Sequence, residues 1–161
     1  MWETKVLKIR EELLRSISDL SFEELNEKPS DGEWSIAQIV LHLSGAETRF
    51  LKLALDAAQE NEGETGEEVD LSVFEDKEKK LKAPIEPSEE PHSIEELKSA
   101  LQASRQLTEK FINTYSEREL SQKTMNHHRF GNMPVWQVLE LLGRHEERHI
   151  HQIEQTKKKI S

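Results

Sequence analysis

The pentapeptide His145-Glu146-Glu147-Arg148-His149 has the residue types and spacing most suited to chemistry in this chain. Two histidines four residues apart sit about 40° from each other on a helix and can present two imidazole nitrogens to a single ion. With a glutamate after the first histidine, the pattern is the H-E-x-x-H of zinc peptidases, where the carboxylate acts as general base. That reaction needs a third ligand, usually downstream, and an open position for the attacking water. Twelve residues follow His149, and among them His151 and Glu154 fall off the apolar stripe of Val135, Val138, Leu142 and Ile153. Peptide hydrolysis also generally uses a sheet edge to hold an extended substrate, and no strand is predicted here. The peptidase reading is set aside, and the third ligand is sought on another element.

Four helices are expected to position the site. Val6, Ile9, Leu13, Ile17 and Leu20 recur at three and four residues over 2–20, a helical stripe that needs a neighbour. Ser21-Phe22-Glu23-Glu24 reads as a capping box opening a short turn, and residues 28–32 break the chain. A second long helix starts at Trp34 or Ser35 and places Ile36, Ile39, Leu43, Ala46, Phe50, Leu53 and Ala57 on one face until about Gln59. The capping box Ser93-Ile94-Glu95-Glu96 begins a third helix that fades near Tyr115. Residues 116–133 read as irregular, and Pro134 belongs in the first turn of a fourth helix, where its missing N–H costs nothing, running to about Lys158. Between the second and third helices, residues 61–91 form a long acidic connection with one small apolar cluster, Val69, Leu71, Val73 and Phe74. So long a connection is either a lid or a strap, and a solvated strap is the expectation, with the acidic run Glu62 to Asp70 as solvated chain. The predicted fold is all-α: one domain, residues 1–161, folded as a four-helix bundle with room for a crossover between helices two and three.

On that frame His145 and His149 point inward, and His42 flanks the apolar stripe of helix two beside Ile39 and Ala46. Any one of them reads most simply as a buried histidine bonded to a neighbour. Three together would leave several imidazole nitrogens to satisfy in one core, and a shared metal ion satisfies them at once. Cysteine is absent, so disulfides, thiolate ligands and a cysteine nucleophile are all excluded, and any metal must take nitrogen or oxygen. The net charge of −10 disfavours nucleic acid as a partner. No run reaches transmembrane length and no signal peptide is evident, so a cytoplasmic protein without membrane partners is expected.

Other polar residues have two readings each. Glu146 lies near the stripe and is either a general base, an acceptor orienting a ligand imidazole, or an arginine partner at the rim. Glu47 and Gln152 are either partners of the ligands or ordinary polar flank. His127 and His128 precede helix four and read as surface histidines, with lining of the pocket mouth as the alternative. His92 and His151 are expected to be exposed, and Trp34 and Trp136 to be packing anchors rather than substrate platforms.

Two segments carry a resemblance to a known family. "WSIAQIVLHLSGAE" (34–47) opens a helix on Trp-Ser and sets His42 before Glu47, and "HHRFGNMPVWQVLELLGRHEERHIHQI" (127–153) leads through a glycine turn into the paired histidines and Gln-Ile. Together they resemble the DinB-like superfamily, which includes YfiT-type bacillithiol transferases. The resemblance implies an up-down-down-up four-helix bundle whose long crossover would be the acidic connection. It implies one divalent ion, zinc or nickel, held by His42, His145 and His149, and frequent homodimers. It also implies transfer of a low-molecular-weight thiol to an electrophile.

The chemistry is consistent with such a site. An ion held by three neutral imidazoles keeps its full charge and an open position, where a thiol or water would lose its proton near neutral pH. With no cysteine in the chain, the thiol must arrive as a cosubstrate. Two classes stay open at this point: a metal-dependent transferase or hydrolase, and a non-catalytic stress or interaction protein whose ion is structural. A fourth protein ligand, from Glu47 or Glu146, would favour the second.

Overall fold

A computed structural model describes residues 2–60, 66–74 and 85–161. Residues 61–65 and 75–84 of the acidic connection, including part of its predicted solvated run, lie outside the described residues. The four long helices are α1 (Trp2–Ile17), α3 (Ile36–Gln59), α4 (Ile94–Thr114) and α6 (Val138–Ile160). Short helices α2 (Phe22–Asn26) and α5 (Glu117–Leu120) lie between them. The helix starts at 22, 36, 94 and 117 are each set by a capping box: Ser21, Ser35, Ser93 and Ser116 accept from the N–H three residues on, whose side chain bonds back. The boxes at Ser21 and Ser93 are the predicted ones.

Cross-helix contacts give the direction of each helix. Val6 and Arg10 of α1 meet Arg105 and Leu101 of α4 in reverse order, so these two run antiparallel. Ser44 and Glu47 of α3 meet Ala100 and Ser104 of α4 in the same order, so these run parallel, which a long crossover makes possible. Ser16, at the end of α1, bonds Glu154 near the end of α6, so those two are parallel as well. The bundle is up-down-down-up. Among the described residues no helix is long and apolar enough to cross a membrane.

The core is divided in two. One apolar cluster contains Val6, Ala46, Phe50, Phe111, Leu139 and Leu142, and the other Leu13, Ile17, Ile39, Leu43, Leu101 and Ile153. Between them, at mid-bundle, lies a layer of buried polar side chains from all four long helices: Arg10, His42, Glu47, Arg105, His145 and Glu146. Each bundle half holds the helices together while the polar layer is kept from bulk water.

Three expectations are corrected. Residues 116–133 are not irregular: after α5 comes an antiparallel hairpin of β1 (Thr124–His127) and β2 (Gly131–Pro134), with Met125 opposite Met133. Both methionines are buried in the core, and Gly131 adopts φ +69°, which suits a residue without a Cβ. Strands of four residues with two buried positions are too short to show a period. Pro134 accordingly ends β2, and a 3-10 turn, Val135–Gln137, leads into α6. The connection between α3 and α4 is also not wholly solvated. Glu67, Glu68 and Asp70 face outward, but Leu71 and Phe74 are buried in the core. The Gln137 amide bonds both the N–H and the C=O of Val69, as a paired strand would.

Candidate metal centre

His42 comes from the first half of α3, and His145 and His149 from successive turns of α6, which packs against α3 in antiparallel fashion. The structure brings the three predicted ligands together. One nitrogen of each lies within 4.8 Å of the others, and the Nε2 atoms of His42 and His145 are 3.1 Å apart. Tetrahedral zinc with bonds of about 2.0–2.1 Å sets its donors about 3.3 Å apart, so this pair already has the spacing of a shared ion. A single proton between two rings explains one such contact but not the convergence of a third.

His149 has its tautomer assigned. Its Nδ1 lies 2.7 Å from Gln152 Oε1, so the ring donates there and leaves Nε2 with a lone pair. Gln152 is thus the partner of His149 and not merely flank. All three rings titrate low. Burial pushes His42 down to about 3, reinforced by His149 and Arg49. Burial likewise holds His149 at about 4 against the opposing Gln152 bond, and His145 well below the ordinary value. The rings are neutral at physiological pH, the state in which imidazole binds metal. Around them, Trp34 lies 5.0 Å from His42, and Phe50 and Phe74 lie 5.7 and 5.6 Å from His145. His42 and His145 are buried, whereas His149 is partly exposed.

The neighbouring carboxylates are committed elsewhere. Glu47 is fully buried and accepts four bonds: from Arg10 and Ser104 on Oε1 and from Arg105 and Thr108 on Oε2, at 2.6–2.9 Å. Glu146 receives Arg10 Nε at 3.1 Å and Arg10 Nη2 at 2.9 Å. Of the readings for Glu146, the geometry realises the arginine partner, but in the interior rather than at the rim. Among the described residues no carboxylate oxygen joins the three imidazoles. Burial raises the pKa of Glu47, but Arg105, Arg10 and Thr108 outweigh it and hold the carboxyl below its usual range.

Sequence reasoning missed Arg10 and Arg105, although a signal was present. Arg10, Glu47, Arg105 and Glu146 each stand four residues after a buried apolar residue, Val6, Leu43, Leu101 and Leu142, so each lies on its helix's inner stripe. Four inward charges of balanced sign, one per helix, mark a paired cluster. The remaining histidines divide. His127 is buried on β1 and packs at a tilt against Phe50, ring centres 5.1 Å apart, while His128 is exposed. His92 and His151 are half-buried rather than exposed, and the backbone N–H of His92 is tied to Asn26. Trp136 packs on the core as expected, and Trp34 does so beside the site, with its indole N–H on Glu86.

Comparison with known proteins agrees with this architecture. YuaE of Bacillus subtilis (strain 168), an uncharacterized protein, is 31% identical over 153 residues, 94% of either chain. YfiT from Bacillus subtilis, described as "a probable metal-dependent hydrolase with an unusual four-helix bundle topology", superposes with a TM-score of 0.67 at 16% identity, covering 99% of this chain and 85% of its own. TT2238, a four-helix bundle protein, superposes with a TM-score of 0.69 at 14% identity, covering 96% and 99%. At those identities the two solved structures speak to the fold alone. The family model of the DinB superfamily matches residues 6–153, most of the chain, so this chain belongs to the DinB superfamily.

Proposed function

We propose that the protein is a divalent-metal-dependent enzyme that transfers a low-molecular-weight thiol to a small electrophile, with zinc or nickel held by His42, His145 and His149. The observation that carries this reading is the donor set: three converging neutral imidazoles, with Glu47 and Glu146 bound to arginines. A structural ion calls for a fourth protein ligand, and among the described residues none converges on the three. The ion, when bound, supplies Lewis acidity that brings a thiol's pKa toward neutrality. The chain's own groups orient and shield. Gln152 holds His149 by Nδ1–H, which leaves Nε2 as the nitrogen that would hold the ion. Phe50 and Phe74 cover the His145 side and keep water from it. The Arg10 bonds to Glu146 and Glu47 tie α6 to α1 and α3 at the level of the site.

In the transfer the thiol releases its proton to solvent and its sulfur forms a bond to the electrophilic carbon. The leaving group departs with the electron pair of the bond that breaks. With no cysteine in the chain, the sulfur comes from a cosubstrate. Water in the thiol's place gives hydrolysis, the chemistry named in the description of YfiT.

The test begins with elemental analysis of untagged protein and of His42→Ala. About one zinc or nickel per chain, lost in the variant, is expected, and unchanged metal content would overturn the ligand set. Incubation of loaded protein with small thiols and alkylating electrophiles then reads thiol consumption. Turnover with water alone would assign hydrolysis instead.

A further inference from the structure

The cover on the metal centre is fastened differently from the rest of the protein. Phe74, whose ring lies 5.6 Å from His145, belongs to the connection between α3 and α4 and not to a long helix. Within residues 66–74 the hydrogen bonds are local: Phe74 N–H donates to Leu71 C=O at 3.1 Å, and Ser72 N–H to Asp70 Oδ1 at 2.9 Å. Among the described residues no backbone–backbone hydrogen bond joins this segment to a helix or strand. Its backbone is held instead by two side chains. The Gln137 amide accepts from the Val69 N–H and donates to the Val69 C=O, both at 2.9 Å, and Arg148 Nη1 reaches the Val73 C=O at 3.5 Å.

Two apolar side chains complete the fastening. Leu71 and Phe74 are buried, and the Phe74 ring also meets Phe130 of the hairpin turn at 5.8 Å. Upstream, Gly66 lies so close to β1 that a Cβ there would stand 2.6 Å from Thr124 Cγ2. These few contacts are opposed by the conformational entropy of an otherwise irregular segment. A segment so held opens at a lower free energy than a packed helix does. Releasing the Gln137 amide breaks no helix or ladder bond.

We propose that residues 66–74 are a lid on the His145 side of the metal centre, with Gln137 as the positioning residue that latches it. The inference rests on the metal centre proposed above. Closed, the lid sets Phe74 against His145 and keeps water from that ring; open, it bares His145. Gln137 touches neither substrate nor ion; it acts through Val69 and Phe74.

The experiment treats the full chain with diethyl pyrocarbonate, which acylates neutral imidazoles, after zinc removal by chelator, and maps each histidine by mass spectrometry. Exposed His128 should react alike in every variant, which calibrates the reagent. His145 should react slowly in the wild type and roughly fivefold to a hundredfold faster in Gln137→Ala, which removes two hydrogen bonds. The His145 rate should stay nearly level in low urea, since local opening exposes little surface. A rate unchanged in Gln137→Ala, or one that rises with urea as steeply as global unfolding, overturns the lid. Should Gln137→Ala not fold, Gly66→Ala, which crowds Thr124 and leaves Gln137 in place, decides by the same two criteria. Reloading with zinc should protect His145; without protection the metal reading fails, and the comparison of variants still judges the lid.

Discussion

Replacing Glu47 by alanine tests the account of the polar layer most directly. Its carboxylate is fully buried and accepts from Arg10, Ser104, Arg105 and Thr108, so it joins α3 to both α1 and α4. With Arg10, Arg105 and Glu146 it makes a buried group of net charge zero; alanine leaves two guanidinium groups facing one carboxylate. Removing one partner of a buried ion pair costs about 3–5 kcal/mol, because the other charge remains out of water. For a chain of this length that is roughly a third to a half of typical stability and a fall in Tm of roughly 6–20 °C. The assay is urea denaturation followed by circular dichroism at pH 7, with Arg105→Ala and the double variant completing a cycle. The double variant is expected to cost less than the sum of the singles. A Glu47→Ala cost below about 1 kcal/mol, or strict additivity, would refute the reasoning. The pH dependence has a definite sign. The folded carboxyl titrates below its unfolded value, so its contribution is present above about pH 4.5 and is lost as pH falls through the lowered folded value.

Three further outcomes are expected. Gln152→Ala should weaken metal binding roughly tenfold to a hundredfold by chelator competition without changing the saturating stoichiometry, since it frees the His149 ring; equal affinity would return Gln152 to plain flank. Burial, with help from His128, Arg129 and Arg49, holds His127 at about 4. Its neutral ring therefore contributes stability that is complete above about pH 6.5 and lost as pH falls toward 4, so His127→Gln should flatten Tm against pH in that window, and parallel curves would contradict this. Gly143→Ala would set a Cβ 2.7 Å from the Trp2 ring and 3.2 Å from Ile9, where α6 meets α1; a loss of about 1–3 kcal/mol is expected, and Trp2→Leu in the same chain should recover part of it.

How much of this was legible follows from the range of each interaction. Helix starts were readable where a capping box is local, as at Ser21 and Ser93, and the inner faces of α1, α3, α4 and α6 were readable from spacing. Inwardness of His42, His145 and His149 follows from the same spacing, and the site was expected for that reason. The hairpin at 124–134 and the burial of Leu71 and Phe74 were not readable, because each depends on a surface supplied from elsewhere in the chain.

The sequence by itself determined the periodicity, the caps, the absence of any cysteine thiol and the inward side of each helix, because these are fixed by composition or by residues a turn or two apart. Only the tertiary structure decided which inward charges pair: Glu146 with Arg10, 136 residues away, and Glu47 with Arg105, 58 away. It likewise decided that Nε2 of His42 lies 3.1 Å from Nε2 of His145. Such pairings depend on the axial offset between α1, α3, α4 and α6. That offset is set jointly by side chains along all four helices, and no single stretch of sequence contains it.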